Sequence, residues 1–316
     1  MRILGAKPHA IALLFAICLS ASHCQAQDLA PRAYLITPSH SNAVTLIYSF
    51  YEGGIEFEGT VPITGASARV SVPVVSYSHS LNFFGRTASF LVSLPYGIGN
   101  FRGTVVGAET LAHRSGLLPA TFRFSVNLKG GPAMNVQEFS KWRQKTIVGV
   151  SLKFLPPTGQ YDPTKLINLG TNRWAFKPEL GYSRRWGHWI LDAYGGAWFY
   201  TTNSEFFSHN QFSPGINAQS QSPIGSFEGH LSYDFKPRLW VSLDGNFWFG
   251  GSTELNGVLS PGTLQRNSRI GTTASIPLTK RQSLKLSYNN GAYIAYGGNY
   301  QNVSIAWQYS WLGRPN

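Results

Sequence analysis

Leu118-Pro-Ala-Thr-Phe-Arg-Phe-Ser-Val-Asn-Leu128 is the stretch on which the reading of this chain turns. Its even positions, Leu118, Ala120, Phe122, Phe124, Val126 and Leu128, are apolar, whereas Thr121, Arg123, Ser125 and Asn127 between them are polar. Successive side chains of a strand point to opposite faces, so the period of two describes a strand with one apolar and one polar face. The same alternation returns with Val148, Val150, Leu152 and Phe154, with Phe176, Pro178, Leu180 and Tyr182, and with Phe227, Gly229, Leu231, Tyr233 and Phe235. It continues through Val241, Leu243, Gly245, Phe247 and Phe249, then Leu284, Leu286 and Tyr288, then Val303, Ile305, Trp307, Tyr309 and Trp311. Less regular segments at 44–51, 68–80, 87–96, 189–200 and 269–277 bring the expected count to twelve strands. Alternation sustained over roughly 9 to 11 residues suits a lipid-facing strand. Strands in soluble sandwiches usually run about 5 to 6 residues.

Composition narrows the choice. Of 316 residues, 43% are hydrophobic, 14% aromatic and only 13% charged, against about 25% charged in an ordinary soluble domain. Disorder is excluded by the aromatic content. Arg2 and Lys7 precede the apolar run Ala10 to Leu19, a signal-peptide pattern expected to be cleaved after Ala26. Cys18 and Cys24, the two cysteines of the chain, leave with that peptide, so a disulfide scaffold is excluded. A lipid anchor at Cys24 lacks the usual Leu-led pattern, since Ala21-Ser-His23 precedes it. No later stretch approaches the 18 or so consecutive apolar residues of a membrane helix. In lipid, backbone N–H and C=O groups must be satisfied internally, which leaves the closed barrel.

The links alternate in length. Short ones fall at 81–86, 185–188, 236–238 and 278–282, and long polar ones at 52–65, 98–116, 157–173, 201–223, 251–266 and 290–301. In an antiparallel meander this puts tight turns on the periplasmic side and loops outside. The link 129–145 is the exception, and Asn135 to Trp142 within it reads as a short amphipathic helix at the membrane surface. Tyr51, Tyr96, Trp142, Trp174, Trp186, Trp189, Tyr200, Trp240 and Trp311 lie near strand ends, where aromatic rings meet lipid headgroups. The expectation is an all-β chain: a signal peptide over 1–26, a periplasmic N-terminal segment over 27–42 that enters the lumen as a plug, and an antiparallel transmembrane β-barrel of about twelve strands over 43–312.

Pro156-Pro-Thr-Gly-Gln-Tyr-Asp-Pro163, and Leu166-Ile-Asn-Leu-Gly-Thr-Asn-Arg-Trp-Ala-Phe-Lys-Pro-Glu-Leu-Gly181 after it, resemble bacterial outer-membrane proteins described as transporters of the MetA pathway of phenol degradation. Pro31-Arg-Ala-Tyr34, Asn267-Ser-Arg269, Ser283-Leu-Lys-Leu-Ser-Tyr288 and Ala306-Trp-Gln-Tyr309 extend the resemblance over most of the chain. It implies an outer-membrane barrel of a Gram-negative bacterium that takes up small aromatic or other hydrophobic solutes. The expected partners are outer-membrane lipid, that solute and the outer-membrane assembly machinery. One departure is the end of the chain, where Leu-Gly-Arg-Pro-Asn316 follows Trp311.

The parity opposite the lipid face names the lumen. Its ionisable residues are Arg123, Lys153, Lys177, Glu179, Asp192, Glu228, His230, Asp234, Asp244 and Lys285. Five acids face four bases and a histidine, a balance that argues against a strongly ion-selective pore. Interior ion pairs filling a narrow, non-conducting barrel are the other reading of the same set. In the outer loop 157–173, Tyr161, Asp162, Lys165, Asn168, Asn172 and Arg173 are the candidates for solute selection at the mouth, or else serve only to fold the loop back on the rim. No enzyme is expected. His113-Arg-Ser115 and Ser208-His209 supply hydrolase residue types, but no motif places a carboxylate beside them. The histidines show no paired ligand spacing, so no metal or other cofactor is expected. The dispersed positive charges suit lipid headgroups better than nucleic acid.

Overall fold

The computed structural model describes residues 30–56, 63–105, 108–165, 167–206, 215 and 217–313. In chain order the strands are β1 (Ser41–Glu56), β2 (Ile63–Phe83), β3 (Arg86–Val105), β4 (Ala108–Leu117), β5 (Thr121–Lys129), β6 (Thr146–Leu155), β7 (Ala175–Trp186) and β8 (Trp189–Tyr200). They continue with β9 (Gln219–Gln221), β10 (Ile224–Lys236), β11 (Leu239–Gly250), β12 (Thr253–Leu255), β13 (Val258–Leu259), β14 (Gln265–Pro277), β15 (Gln282–Ile294) and β16 (Gly297–Leu312). One helix, α1 (Val136–Lys141), follows β5. β4 and β5 both pair with β3 and form one interrupted strand, so twelve antiparallel strands make a closed barrel. Closure runs through β1 and β16, from Ser41 opposite Leu312 to Glu56 opposite Gly297.

The interruption falls inside the stretch quoted first. Pro119 has no N–H to give a ladder. Leu118 N donates to Pro95 O at 3.1 Å, and Ala120 N turns to Thr158 Oγ1 at 2.9 Å. Leu118 therefore does not take the lipid-facing place its even number suggests. It packs in the space beside Gly97 together with Leu169, and Leu117 is the exposed residue instead. In β10 and β11 the two parities separate cleanly. Ser226, Glu228, His230 and Ser232 of β10 and Ser242, Asp244 and Asn246 of β11 are buried, while Phe227, Leu243 and Phe247 are exposed. Leu243, 69% exposed near the middle of β11, meets hydrocarbon. Leu243→Arg is expected to destabilise the barrel by about 2–4 kcal/mol in urea unfolding from lipid vesicles; a loss under about 1 kcal/mol would place that face out of lipid.

Three expected long links are largely strand. β1 and β2 extend to Glu56 and from Ile63, β3 and β4 to Val105 and from Ala108, and β15 and β16 leave only residues 295–296 between them. Their alternation fails because both faces of a strand are wet once it rises above the hydrocarbon, yet the backbone ladder persists. The described residues of 157–173 and 201–223, and residues 251–264, remain connections, and β9, β12 and β13 join the last two in a small sheet. The periplasmic turns are tight. Phe84 and Gly85, for example, adopt φ of 50° and 77°, the left-handed pair that a two-residue hairpin requires.

Helix α1 forms where Asn135 and Glu138 cap each other: Glu138 N donates to Asn135 Oδ1 and Asn135 N to Glu138 Oε2, both at 2.9 Å. Its Phe139, with Trp142, packs against Tyr34, Ile36, Met134, Ile147 and Tyr194. The helix is thus seated against the periplasmic end of the barrel interior, not on the membrane surface. Trp142 leaves the expected aromatic girdle for the same reason. Trp240, 7% exposed, and Tyr200, packed against the Trp198 cluster, leave it because their parity is inward. Tyr96, Trp174, Trp186 and Trp189 do point outward.

Candidate functional site

Glycines on the inner wall let the N-terminal segment approach. A Cβ on Gly149 or Gly181 would strike the Tyr34 ring, so the ring lies flat on the β6–β7 wall where two side chains are missing. Tyr34 OH donates to Glu179 Oε1 at 3.0 Å and lies 3.1 Å from Ser151 Oγ. Arg123 sits 4.8 Å above the ring, and its Nη1 donates to Ala33 O at 3.0 Å. Ala33 N donates to Tyr194 OH at 3.0 Å. Two residues earlier than Tyr34, Arg32 pairs with Asp234 at 2.6 Å and stacks 4.2 Å from Trp240. The second oxygen of Asp234 takes Arg185 at 2.5 Å. The partners of Arg32, Ala33 and Tyr34 are therefore groups on the inner face of β5, β6, β7, β8, β10 and β11, while Ser39 N donates to Met134 O and His40 N to Ser80 O, both at 2.8 Å.

Above it runs a chain of ion pairs. Lys177 Nζ reaches Glu179 Oε2 at 2.8 Å and Glu228 Oε1 at 2.9 Å. It crosses β8 at Gly196, where an added Cβ would meet the lysine Cε at 3.1 Å. His230 Nε2 lies 3.7 Å from Glu228 Oε2, His230 Nδ1 lies 2.8 Å from Asp244 Oδ1, and Thr273 Oγ1 donates to Asp244 Oδ2 at 2.8 Å. Asp192 is opposite Ser183 and His230 in the ladder. Lys153 Nζ stands 5.8 Å from the Trp198 ring and Lys285 Nζ 5.9 Å from that of Trp240. Ion pairs of this burial contribute little net stability, but removing one partner is costly.

Two tryptophans that the sequence reading did not single out, Trp198 and Trp248, are fully buried on the inner parity with Leu155, Ala175 and Ile224. Tyr200 stacks on Trp198 at 11° between ring planes. Arg269 was also missed. It is buried on β14, beside β11, 3.9 Å over Tyr300, and donates to Asn289 Oδ1 and Tyr300 O. The signal was present for all three, because Trp198, Trp248 and Arg269 share the parity of Asp192, Asp244 and Thr273. With Arg32, Arg173 and Arg269 added, the interior carries more bases than acids, and the balanced set expected from the strands alone gives way to a basic one.

The six mouth-loop residues separate into two groups. Asp162, Lys165 and Asn168 fold the loop itself: Asp162 accepts from Thr164 N, Thr164 Oγ1 and Lys165 Nζ, and Asn168 Nδ2 donates to Asp162 O and Lys165 O. These bonds, led by that from Lys165, hold the Asp162 carboxyl down at about 2. A carboxyl lowered in the folded state stabilises above its unfolded value and loses that contribution as pH falls through the folded one. The loop is therefore expected to resist protease at pH 4 in the wild type and to be cut there in Asp162→Asn. Tyr161 and Asn172 tie the loop to the next one, through Asn203 Nδ2 donating to Tyr161 OH and Asn172 Nδ2 donating to Asn203 Oδ1. Arg173 alone of the six goes inward. It is 3% exposed, 4.3 Å over Tyr200 and bonded to Gln221 Oε1. Of the hydrolase candidates, His113 and Ser115 lie on the exposed β3–β4 hairpin, His113 bonding Asn100 Oδ1 at 2.8 Å. Ser208 and His209 fall outside the described residues, as does the expected signal peptide.

Comparison with known proteins gives one family and a set of folds. The profile of the family described as "Putative MetA-pathway of phenol degradation" matches residues 56–295. The crystal structure of the COG4313 outer membrane channel from Pseudomonas putida F1 superposes with a TM-score of 0.73, covering 90% of this chain and 100% of that one at 17% identity. The β-domain of the Bordetella autotransporter Brka follows at a TM-score of 0.49, 11% identity, and 86% and 99% coverage of the two chains. The transport unit of AIDA-I from Escherichia coli has a TM-score of 0.49 and 11% identity, over 98% of this chain and 100% of that chain. No curated protein matches.

Proposed function

The chain belongs to the family of the MetA pathway of phenol degradation, and from that premise we propose that it is a passive channel in the outer membrane of a Gram-negative bacterium for small aromatic or otherwise hydrophobic solutes. The observation that carries the reading is the pair of buried tryptophans, Trp198 and Trp248, which with Leu155, Ala175 and Ile224 form an apolar cluster inside a closed barrel whose inner wall also carries a chain of ion pairs. An inner wall that only fills space with ion pairs has no use for indole rings, whereas a path for arenes needs apolar faces between its polar groups. The Pseudomonas putida protein of the same fold is described as an outer membrane channel, which supports the channel part of the reading. Residues 30–40 act as a plug on the periplasmic half of the path, held by Arg32 and Tyr34. Balanced bonding to wall groups, with no covalent tie, makes it a seat that can be vacated. The test pairs planar-bilayer recordings of the purified barrel with uptake of aromatic substrates by a deletion strain. Discrete conductance steps and slowed uptake are expected. Absence of both would leave a structural barrel closed by its own ion pairs.

A further inference from the structure

We propose that the outer part of the lumen holds a binding site for an organic anion with an aromatic ring, an aryl carboxylate, with Arg173 as its carboxylate-binding group. The inference rests on the reading of the barrel as a solute path and names the class of solute more narrowly.

Arg173 differs from Lys177, Arg123 and Arg32 in what faces it. Lys177 has Glu179 and Glu228, Arg123 has Glu179, and Arg32 has Asp234. Among the described residues no carboxylate pairs with Arg173; its acceptor is the neutral amide oxygen of Gln221. Its Nη1 is buried with no hydrogen-bond partner among the described residues, and so are Trp198 Nε1 and Tyr200 OH. A guanidinium taken from water without an opposite charge is unfavourable, and buried donors left unpaired add to the cost. A carboxylate would answer both, since its two oxygens match the guanidinium fork.

The surroundings specify the rest of the ligand. Arg173 stacks on Tyr200, Tyr200 on Trp198, and Trp198 belongs to the apolar cluster with Ile224 and Trp248. Trp198 and Trp248 are 1% and 0% exposed, so a ring attached to the carboxylate would part this stack and take the place of one of its contacts with an aromatic face. Arg269, on β14, also has no carboxylate partner among the described residues and leaves Nε and Nη2 unpaired, but its Nη1 bonds Asn289 Oδ1 and Tyr300 O; Arg173 adjoins the stacked rings of Tyr200 and Trp198 and is the better receptor for an anion that carries a ring.

Equilibrium dialysis of the purified full chain against benzoate, benzyl alcohol and acetate separates charge from ring. Benzoate is expected to bind at least about tenfold more tightly than either of the others, the discrimination typical when a buried polar group finds or misses its partner. Arg173→Gln should bring benzoate down to the level of benzyl alcohol. Gln221→Glu supplies the missing charge from within the protein, favours folding of the site, and should remove the preference equally. Equal binding of benzoate and benzyl alcohol to the wild type would overturn the proposal, and so would a preference that survives Gln221→Glu. The channel reading fails separately. A barrel that conducts without preferring benzoate keeps that reading and loses this site, whereas preferential binding to a barrel that carries no current does the reverse.

Discussion

Lys177→Met is expected to destabilise the barrel by about 3–5 kcal/mol, the usual result of removing one partner from a buried ion pair. Lys177 is 1% exposed and is the shared cation of Glu179 and Glu228, at 2.8 and 2.9 Å. Without it, Glu228 keeps His230 at 3.7 Å and Glu179 keeps Arg123 at 3.5 Å, both longer and weaker contacts. Two carboxylates then face each other across Gly196 without the lysine that joined them. The double variant Lys177→Met with Glu228→Gln should recover most of the loss, because replacing both members of a pair is often close to neutral. Urea unfolding from lipid vesicles, followed by tryptophan fluorescence, gives both numbers. A loss under about 1 kcal/mol for Lys177→Met would mean that water screens the pair as on an exposed surface, and that the lumen at this level is wide and wet.

The combined substitution Arg32→Ala with Tyr34→Ala should open the periplasmic half of the path. Arg32 gives up its pair with Asp234 and its stacking on Trp240; Tyr34 gives up the bond to Glu179 and its seat on Gly149 and Gly181. Hydrogen bonds to charged groups contribute roughly 1.5–3 kcal/mol each, so two of them bias the seated against the released segment by roughly a hundredfold to ten-thousandfold. Single-channel recordings should show the open fraction rise, with long closures replaced by brief ones. Gly181→Val tests the same seat from the wall side, since a side chain there occupies the place of the Tyr34 ring. An unchanged open fraction in both variants would mean that the segment does not obstruct flow.

The fold was legible because lipid imposes a period of two on every strand that crosses it, and β5, β10 and β11 carry that period with few exceptions. The failures have physical causes. At Leu118 the backbone break at Pro119 shifts the parity by one. At 52–56, 98–105 and 290–294 strands continue where no hydrocarbon enforces alternation. The site was legible only as a set of positions. Parity names Lys177, Glu228 and Asp244 as inward, but which carboxylate meets which cation depends on strand neighbours and on side-chain reach across Gly196, and neither is written in a single strand. Trp198 and Trp248 were passed over because an aromatic residue on the polar parity looks like noise in a two-letter pattern. Arg32 and Tyr34 belong to a segment with no period at all, so their partners, Asp234 and Glu179, emerge only in three dimensions.

The central claim is that solute passes through this barrel. Its most direct test is a planar-bilayer recording of the purified wild-type chain beside the Arg32→Ala, Tyr34→Ala variant. The account predicts discrete conductance steps from the wild type and a higher open fraction from the variant. Silence from both, in protein that migrates as a folded barrel, would contradict it.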